Sequence, residues 1–385
     1  MPNRVVVWAD CDLSGGGGTY LRSLARWLEA RGTAARFAHI EEWDLRLDDP
    51  DAVRFAGHVR IPLPEGIQPP ILAQAFSVRP ALEFLEAERP DLVVFSNNCA
   101  VSNLGARRAA RYAGCRWITV EHNCAPDLVG AVPGVLVEDF ITLNAASAGS
   151  VCVSHYNAGL LADVFSVPRE RIRVVWNPVR ADFFRPPDDA AAAATRARLG
   201  VAPGQLHCMT MGHVVDYKAP DLLVRLVEHH ASALRSLGCR FTWAGDGAML
   251  ADMRSRVAEA GIGDLLNFAG WDPHPQMLLD SADVLIHLSR NEGFGLAPAE
   301  AMAKGRPVIA SRVGGLPEVL GDTGFLIDLD SFEMVPQFID ALSILADPVQ
   351  RVEHGAAARL RAEGCFSERR FAEDMERVFA MAELT

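Results

Sequence analysis

Short apolar runs alternate with amphipathic stretches through both halves of the chain. VVVWA (5–9) is followed by a glycine-rich segment and by TYLRSLARWLEARG (19–32), where Leu21, Leu24, Ala25 and Leu28 recur at helical spacing. That order predicts a strand, a turn and a helix. DLVVFS (91–96), CRWITVEHN (115–123) and SVCVSHYN (150–157) repeat the theme, each an apolar run ending in polar residues. Such runs suit parallel strands buried on both faces. The second half continues with LHCMTMGH (206–213), CRFTWAGDG (239–247), LLNFAGW (265–271), DVLIHLS (283–289), RPVIASR (306–312) and GFLIDL (324–329). Helical stretches at 219–237, 248–260, 297–304 and 334–346 separate them. Strands alternating with helices in both halves predict an α/β protein of two doubly wound, Rossmann-like domains facing each other across a cleft. In such sheets the loops beyond the carboxyl ends of the strands carry the chemistry.

Length agrees with two domains, since 385 residues exceed the roughly 250 to 300 at which a single core stops growing. Pro186-Pro187 and Asp188-Asp189, leading into five alanines at 190–194, mark a change of composition. The expected domains are therefore 1–185 and 186–365, with 366–385 a C-terminal helix returning to the first. The longest apolar runs, such as Val5–Ala9 and Val284–Ile286, fall far short of the ~20 residues of a membrane span. MPNRVVVWADCD has no secretory pattern, so the opening reads as a first strand of a cytoplasmic protein. A net charge of −12 opposes nucleic-acid binding, which needs a basic face. Cys11, Cys99, Cys115, Cys124, Cys152, Cys208, Cys239 and Cys365 are scattered without CxxC spacing, which indicates neither a zinc site nor a disulfide framework.

The most informative stretch is NEGFGLAPAEAMAKGRPVIASRVGGLPEV (291–319). Glu292 and Glu300 flank a Gly-Phe-Gly turn, and Pro298 suits the first turn of a helix. Free backbone N–H groups at that helix start would receive a phosphate, and carboxylates accept hydrogen bonds from paired hydroxyls. On the residues alone a second reading stands beside this one, with Glu300 favouring the helix N-terminus electrostatically and Glu292 a solvated loop residue.

The stretch resembles the donor-site signature of glycosyltransferase family 4, of GT-B fold. Its E-x7-E, EAMA-x-G-x-PV and GG-x-PE pieces occur here in order as Glu292, Glu300-Ala301-Met302-Ala303, Gly305, Pro307-Val308 and Gly314-Gly315-Leu316-Pro317-Glu318. Upstream, VVWNPVRADFFRP (174–186) resembles the family's interdomain segment, with Arg180 where an Asp is usual. GHVVDYKAPDLL (212–223) resembles its phosphate-binding segment, with Lys218 kept, His213 in place of an Arg and Ala219 in place of a Gly. WAGDG (243–247) and FAGW (268–271) resemble strand ends lining the nucleotide site. In the first half, Gly15, Gly16, Gly17 and Gly18 resemble a loop approaching the donor phosphate, and His122, in TVEHN (119–123), stands where the family often has a His near the transferred sugar.

The resemblance implies a retaining, metal-independent glycosyltransferase with a nucleotide diphosphate sugar as co-substrate, no further cofactor, and a hydroxyl-bearing acceptor. His122, Lys218 and Glu292 would act at the reacting centre, Glu292 on the sugar and Lys218 on the diphosphate. Gly15, Gly16, Gly17, His213, Gly245, Trp271, Gly293, Phe294, Gly295, Leu296 and Glu300 would bind the donor, Glu300 at the ribose. The departing phosphate oxygen would take the acceptor's proton, while the protein supplies positioning and charge. A small soluble acceptor is expected, and a monomer or homodimer. Three other readings compete: a nucleotide-sugar epimerase of the same fold, a non-catalytic sugar-binding protein, and an NAD-dependent dehydrogenase. The last needs a G-x-G-x-x-G fingerprint that fails at Tyr20 when counted from Gly15.

Overall fold

A computed structural model describes residues 2–10, 15–40, 58–61, 70–99, 101–124 and 132–384 of the protein. The chain divides into two units, Met1–Pro178 with Glu368–Thr385, and Val179–Ser367. Each is built on a parallel sheet.

The first unit's strands are β1 (Arg4–Ala9), β2 (Ala34–Ile40), β3 (His58–Ile61), β4 (Leu92–Asn97), β5 (Trp117–Glu121), β6 (Gly149–Cys152) and β7 (Ile172–Val174), in the order β3-β2-β1-β4-β5-β6-β7. Every residue of β4, β5 and β6 is buried, as the unbroken apolar runs require. The helix Glu368–Leu384 completes this unit. Its Phe371, Met375, Val378, Phe379 and Ala382 recur on one face and enter a core with Val5, Val7, Tyr20, Leu24 and Trp27. Trp27 and Phe379 meet edge to face at 4.8 Å.

The second unit carries β8 (Leu206–Met211), β9 (Cys239–Ala244), β10 (Leu266–Gly270), β11 (Val284–His287), β12 (Val308–Ser311) and β13 (Phe325–Ile327), ordered β10-β9-β8-β11-β12-β13. Chain progression reverses between β8 and β11, and in the first sheet between β1 and β4. At such reversals the loops on either side diverge and leave a crevice at the carboxyl ends of the strands.

The apolar run at 150–157 forms a strand as far as Cys152, and Ser154 then caps the helix His155–Asp163, its Oγ accepting the Asn157 N–H at 3.1 Å. Two local details differ from the sequence expectation. The helix foreseen at 219–237 is two, Pro220–His229 and Ala231–Ser236, broken at His230. The chain passes into the second unit at Val179, before the change of composition at Pro186. Contacts made far away in sequence hold 179–185 there: Val179 N–H donates to Phe366 O at 2.7 Å, Phe183 is buried, and Arg359 Nη2 donates to Phe184 O at 2.6 Å.

Candidate active site

In the second unit the loops after β8, β9 and β10 are laced together by their backbones. Gly212 N–H donates to Ala244 O at 3.1 Å, Val214 N–H to Asp246 O at 2.8 Å, and Gly245 N–H to Gly270 O at 2.8 Å. Trp243 adds its indole N–H to Gly212 O at 3.0 Å. The approach is so close that a Cβ on Gly245, whose φ is +157°, would stand 1.9 Å from Gly212 O. Glycine is required there. Trp243 is thus a buried strut of this scaffold, whereas Trp271 is 58% exposed just past β10 and His213 is exposed just past Gly212.

The loop after β8 ends in Lys218, and the loop after β11 carries Glu292, so the two lie on opposite sides of the reversal point. Lys218 Nζ forms an ion pair with Glu292 Oε2. The same oxygen accepts from His287 Nε2 at 2.9 Å, where His287 is the last residue of β11, and Ser289 Oγ stands 3.3 Å from that nitrogen. Arg290 ties the two loops, taking Asp216 O at 2.6 Å through Nη1 and both oxygens of Asp221 through Nη2 at 2.9 and 2.7 Å. Burial alone would raise the Glu292 carboxyl, but the Lys218 charge and the His287 hydrogen bond outweigh it and hold the group well below its ordinary range. Burial, with Lys218 adding to it, keeps the His287 imidazole lowered and neutral, so its one proton lies on Nε2 toward Glu292. Because the folded carboxyl lies below its ordinary 4.5, its stabilisation is complete above about pH 4.5 and fades as pH falls toward the folded value.

Glu292 is held from behind by the GG-x-PE segment. Gly315 N–H donates to Glu292 O at 3.0 Å, and a Cβ on Gly314, at φ +56°, would lie 1.9 Å from that same oxygen. A Cβ on Gly315 would lie 2.6 Å from Gly293 O. Past Gly293, Phe294 is buried against Phe366 at 5.5 Å, and Gly295, at φ +106°, turns the chain into the helix Leu296–Ala303. Leu296 opens that helix, and Glu300 is buried within it. Its first-turn N–H groups and positive dipole end lie directly after the Glu292 loop.

In the first unit, His122 directly follows β5. Its Nε2 lies 2.9 Å from Ser96 Oγ at the end of β4, and its ring meets Tyr20 edge-on at 5.0 Å. Burial pushes the imidazole down to about 4, so it is neutral near pH 7. Gly15, Gly16, Gly17 and Gly18 form the first turn of the helix Gly15–Glu29, where the sequence suggested a loop; residues 12–14 lie outside the described residues. Space is open around a Cβ at Gly16, so no contact within the chain demands glycine at that position.

Asp10, at the end of β1, is buried and accepts the Asn98 N–H at 2.9 Å. Burial raises its carboxyl to about 6 from 3.8. A raised carboxyl contributes its full stability below about pH 3.8 and loses it as pH climbs through 6. Asp10→Asn is therefore expected to melt with the wild type at pH 4 and above it at pH 8. The gain approaches about 3 kcal/mol, at roughly 1.4 kcal/mol per pKa unit. Thermal unfolding at the two pH values checks it, and identical curves at pH 8 would refute it.

Residues 14–183 match the model described as Glycosyltransferase Family 4, and 205–347 match Glycosyl transferases group 1. The chain belongs to glycosyltransferase family 4. The D-inositol 3-phosphate glycosyltransferase of Arthrobacter sp. (strain FB24) is 32% identical over 235 residues, covering 57% of this chain and 51% of the relative. That of Streptomyces avermitilis is 33% identical over 257 residues, covering 63% and 52%. This family 4 chain thus spans about half the length of the curated relatives it matches. Among solved structures, Anabaena HepE in complex with UDP superposes with a TM-score of 0.80 at 15% identity, covering 98% of this chain and 99% of that one. Sucrose-phosphate synthase from Thermosynechococcus elongatus gives 0.79 at 19%, covering 98% of each. Both support the two doubly wound domains of the GT-B fold.

In this family 4 chain the structure brings together Lys218, Glu292 and the Gly293-Phe294-Gly295 turn. His287, Ser289 and Arg290 were not singled out from sequence. His287 ends an apolar strand, and its polar side chain closing that run was the available signal. No helix of the described residues is long and apolar enough to cross a membrane.

Proposed function

We propose that the protein moves a glycosyl group from a nucleotide diphosphate sugar to an acceptor hydroxyl, with retention at the anomeric carbon and without a divalent metal. The observation that carries this reading is the Lys218–Glu292–His287 cluster at the reversal point of the second sheet. A lysine there is the cation that a diphosphate recruits, and with Lys218 engaged by phosphate, Glu292 keeps His287 and turns its other oxygen to sugar hydroxyls. Glu300 serves the ribose, and the helix start after Gly295 serves a phosphate oxygen. In the reaction the bond from the anomeric carbon to the diphosphate oxygen breaks as the acceptor oxygen bonds that carbon from the same face. The acceptor's proton passes to the departing phosphate oxygen. Lys218 stabilises the charge developing on that leaving group.

His122 enters as a neutral hydrogen-bonding group whose ring is oriented by Ser96 and Tyr20. The acceptor is a small soluble alcohol, taken by the first unit. Free thiols at seven described cysteines accord with action in the reducing cytoplasm.

A thermal-shift screen against UDP, GDP, ADP and TDP tests the donor. One nucleotide is expected to raise the melting point selectively, since a ligand at 100 times its Kd adds about 2.7 kcal/mol. No shift with any of the four defeats the reading. With the matching donor and an accepted alcohol, EDTA is expected to leave turnover unchanged, and a strict metal requirement would overturn the mechanism.

A further inference from the structure

The first unit contains a pocket of about 380 Å³ that shares no residue with the site described above. It lies at β7, where Ile172, Trp176, the helix His155–Asp163 and the start of the helix Glu368–Leu384 converge. In a chain of net charge −12, its lining includes Arg169, Arg173 and Arg370. The charges of Arg169 and Arg173 are incompletely answered. Arg173 Nη1 donates to the backbone carbonyls of Glu170 and Ile172, at 2.9 and 3.0 Å, which leaves its charge unneutralised by those bonds. Asp374 is shared, accepting from Arg370 at 2.9 Å and from Arg377 at 2.7 Å. Arg169 pairs with Asp163 at 2.7 Å, but both side chains are more than two-thirds exposed, a pairing worth little that a better anion can displace.

Guanidinium groups bind phosphoryl oxygens in two-pronged fashion and hold their charge at any working pH. The volume exceeds what a lone phosphate needs and falls in the range of organic ligand sites. Trp176 and Ile172 offer the apolar wall that the rest of such a ligand requires. We infer that this pocket binds a phosphoryl group carried on a sugar-sized body, with Arg169, Arg173 and Arg370 on the phosphate and Trp176 against the body. It is a second anion site, and it stands whether or not the donor site is read correctly.

The test uses the full chain with the nucleotide that the thermal-shift screen selects held at high concentration, and with Lys218→Met run alongside, so that the site around Lys218 is not what is titrated. Glucose 6-phosphate, inorganic phosphate, and phosphatidylglycerol or phosphatidylcholine vesicles are titrated by calorimetry. The expected result is saturable binding of glucose 6-phosphate, tighter than inorganic phosphate. Arg169→Gln with Arg173→Gln, and separately Arg370→Gln, should each weaken it by about tenfold or more, as loss of a charge-assisted bond does. Arg312→Gln, on the second unit, is the control and should leave it unchanged. Binding of phosphatidylglycerol vesicles alone, lost in the double variant, supports the phosphoryl chemistry and assigns it to a lipid headgroup. No saturable binding of any probe, or equal binding by wild type and both pocket variants, overturns the inference. All of these arginines are surface groups, so folding of the variants, checked by circular dichroism, is expected to be intact.

Discussion

Lys218→Ala is expected to lower turnover by roughly a hundredfold or more, the scale seen when one preorganised charge donor is removed from a reacting centre. Two effects combine. The diphosphate of the proposed reaction would lose its cation, and Glu292 loses the stronger of the two partners that hold it ionised against burial. With Lys218 gone, the Glu292 carboxyl rises, so the pH profile of the variant should move its acid limb upward relative to wild type. Lys218→Met, which keeps the aliphatic stem, should lose as much turnover as the alanine variant, separating charge from packing. Removing one member of a partly buried pair also costs stability, about 3 kcal/mol or less given the 16% and 14% exposure of the two side chains. Unfolding curves must therefore accompany the kinetics. Glu292→Ala should fall at least tenfold while leaving nucleotide binding less affected, because its proposed partner is the sugar and not the diphosphate. Steady-state rates within threefold of wild type for folded Lys218→Ala would end the assignment.

Gly314→Ala carries the largest expected effect on stability. The added carbon would meet the Glu292 carbonyl oxygen at 1.9 Å, backbone against backbone, at a φ of +56° that alanine adopts only with strain. No side chain can swing aside to relieve it. The Glu292 loop or the turn into the helix Leu316–Leu320 has to move, and the expected cost is about 3 kcal/mol in the unfolding of the second unit. Nucleotide binding should fall together with stability, since the displaced segment leads into the helix Leu296–Ala303, whose start and Glu300 are proposed to hold the phosphate and the ribose. Denaturant unfolding, read with a nucleotide titration, measures both. A variant as stable as wild type would show that the two loops are not locked together.

These two substitutions also mark where reading the sequence succeeds and where it stops. Glu292, the Gly-Phe-Gly turn and Glu300 are legible because they are close along one covalent chain, where a strand, a turn and a helix start in succession. The pair of glycines at 314 and 315 is legible as part of a motif, but its purpose is not. It lies 22 residues beyond Glu292, and only the pairing of β11 with β12 brings the two loops into contact. Lys218 and Glu292, 74 residues apart, meet because β8 and β11 are neighbours in the sheet although two strands separate them in the chain. Arg290 illustrates the same limit, since its bonds to Asp216 and Asp221 exist only across that junction.

The sequence by itself determined the alternation of strands and helices, the existence of two domains and the family motif. Local hydrophobic period and short-range spacing encode all three. Tertiary structure decided the transfer of 179–185 to the second unit, the conversion of Gly15–Gly18 from loop to helical turn, the partner of each charge, and the neutrality of His122 and His287. The physical reason is common to these cases. Burial and charge pairing depend on what packs around a group, and in parallel sheets every neighbouring strand arrives by a long crossover, so those surroundings come from distant parts of the chain.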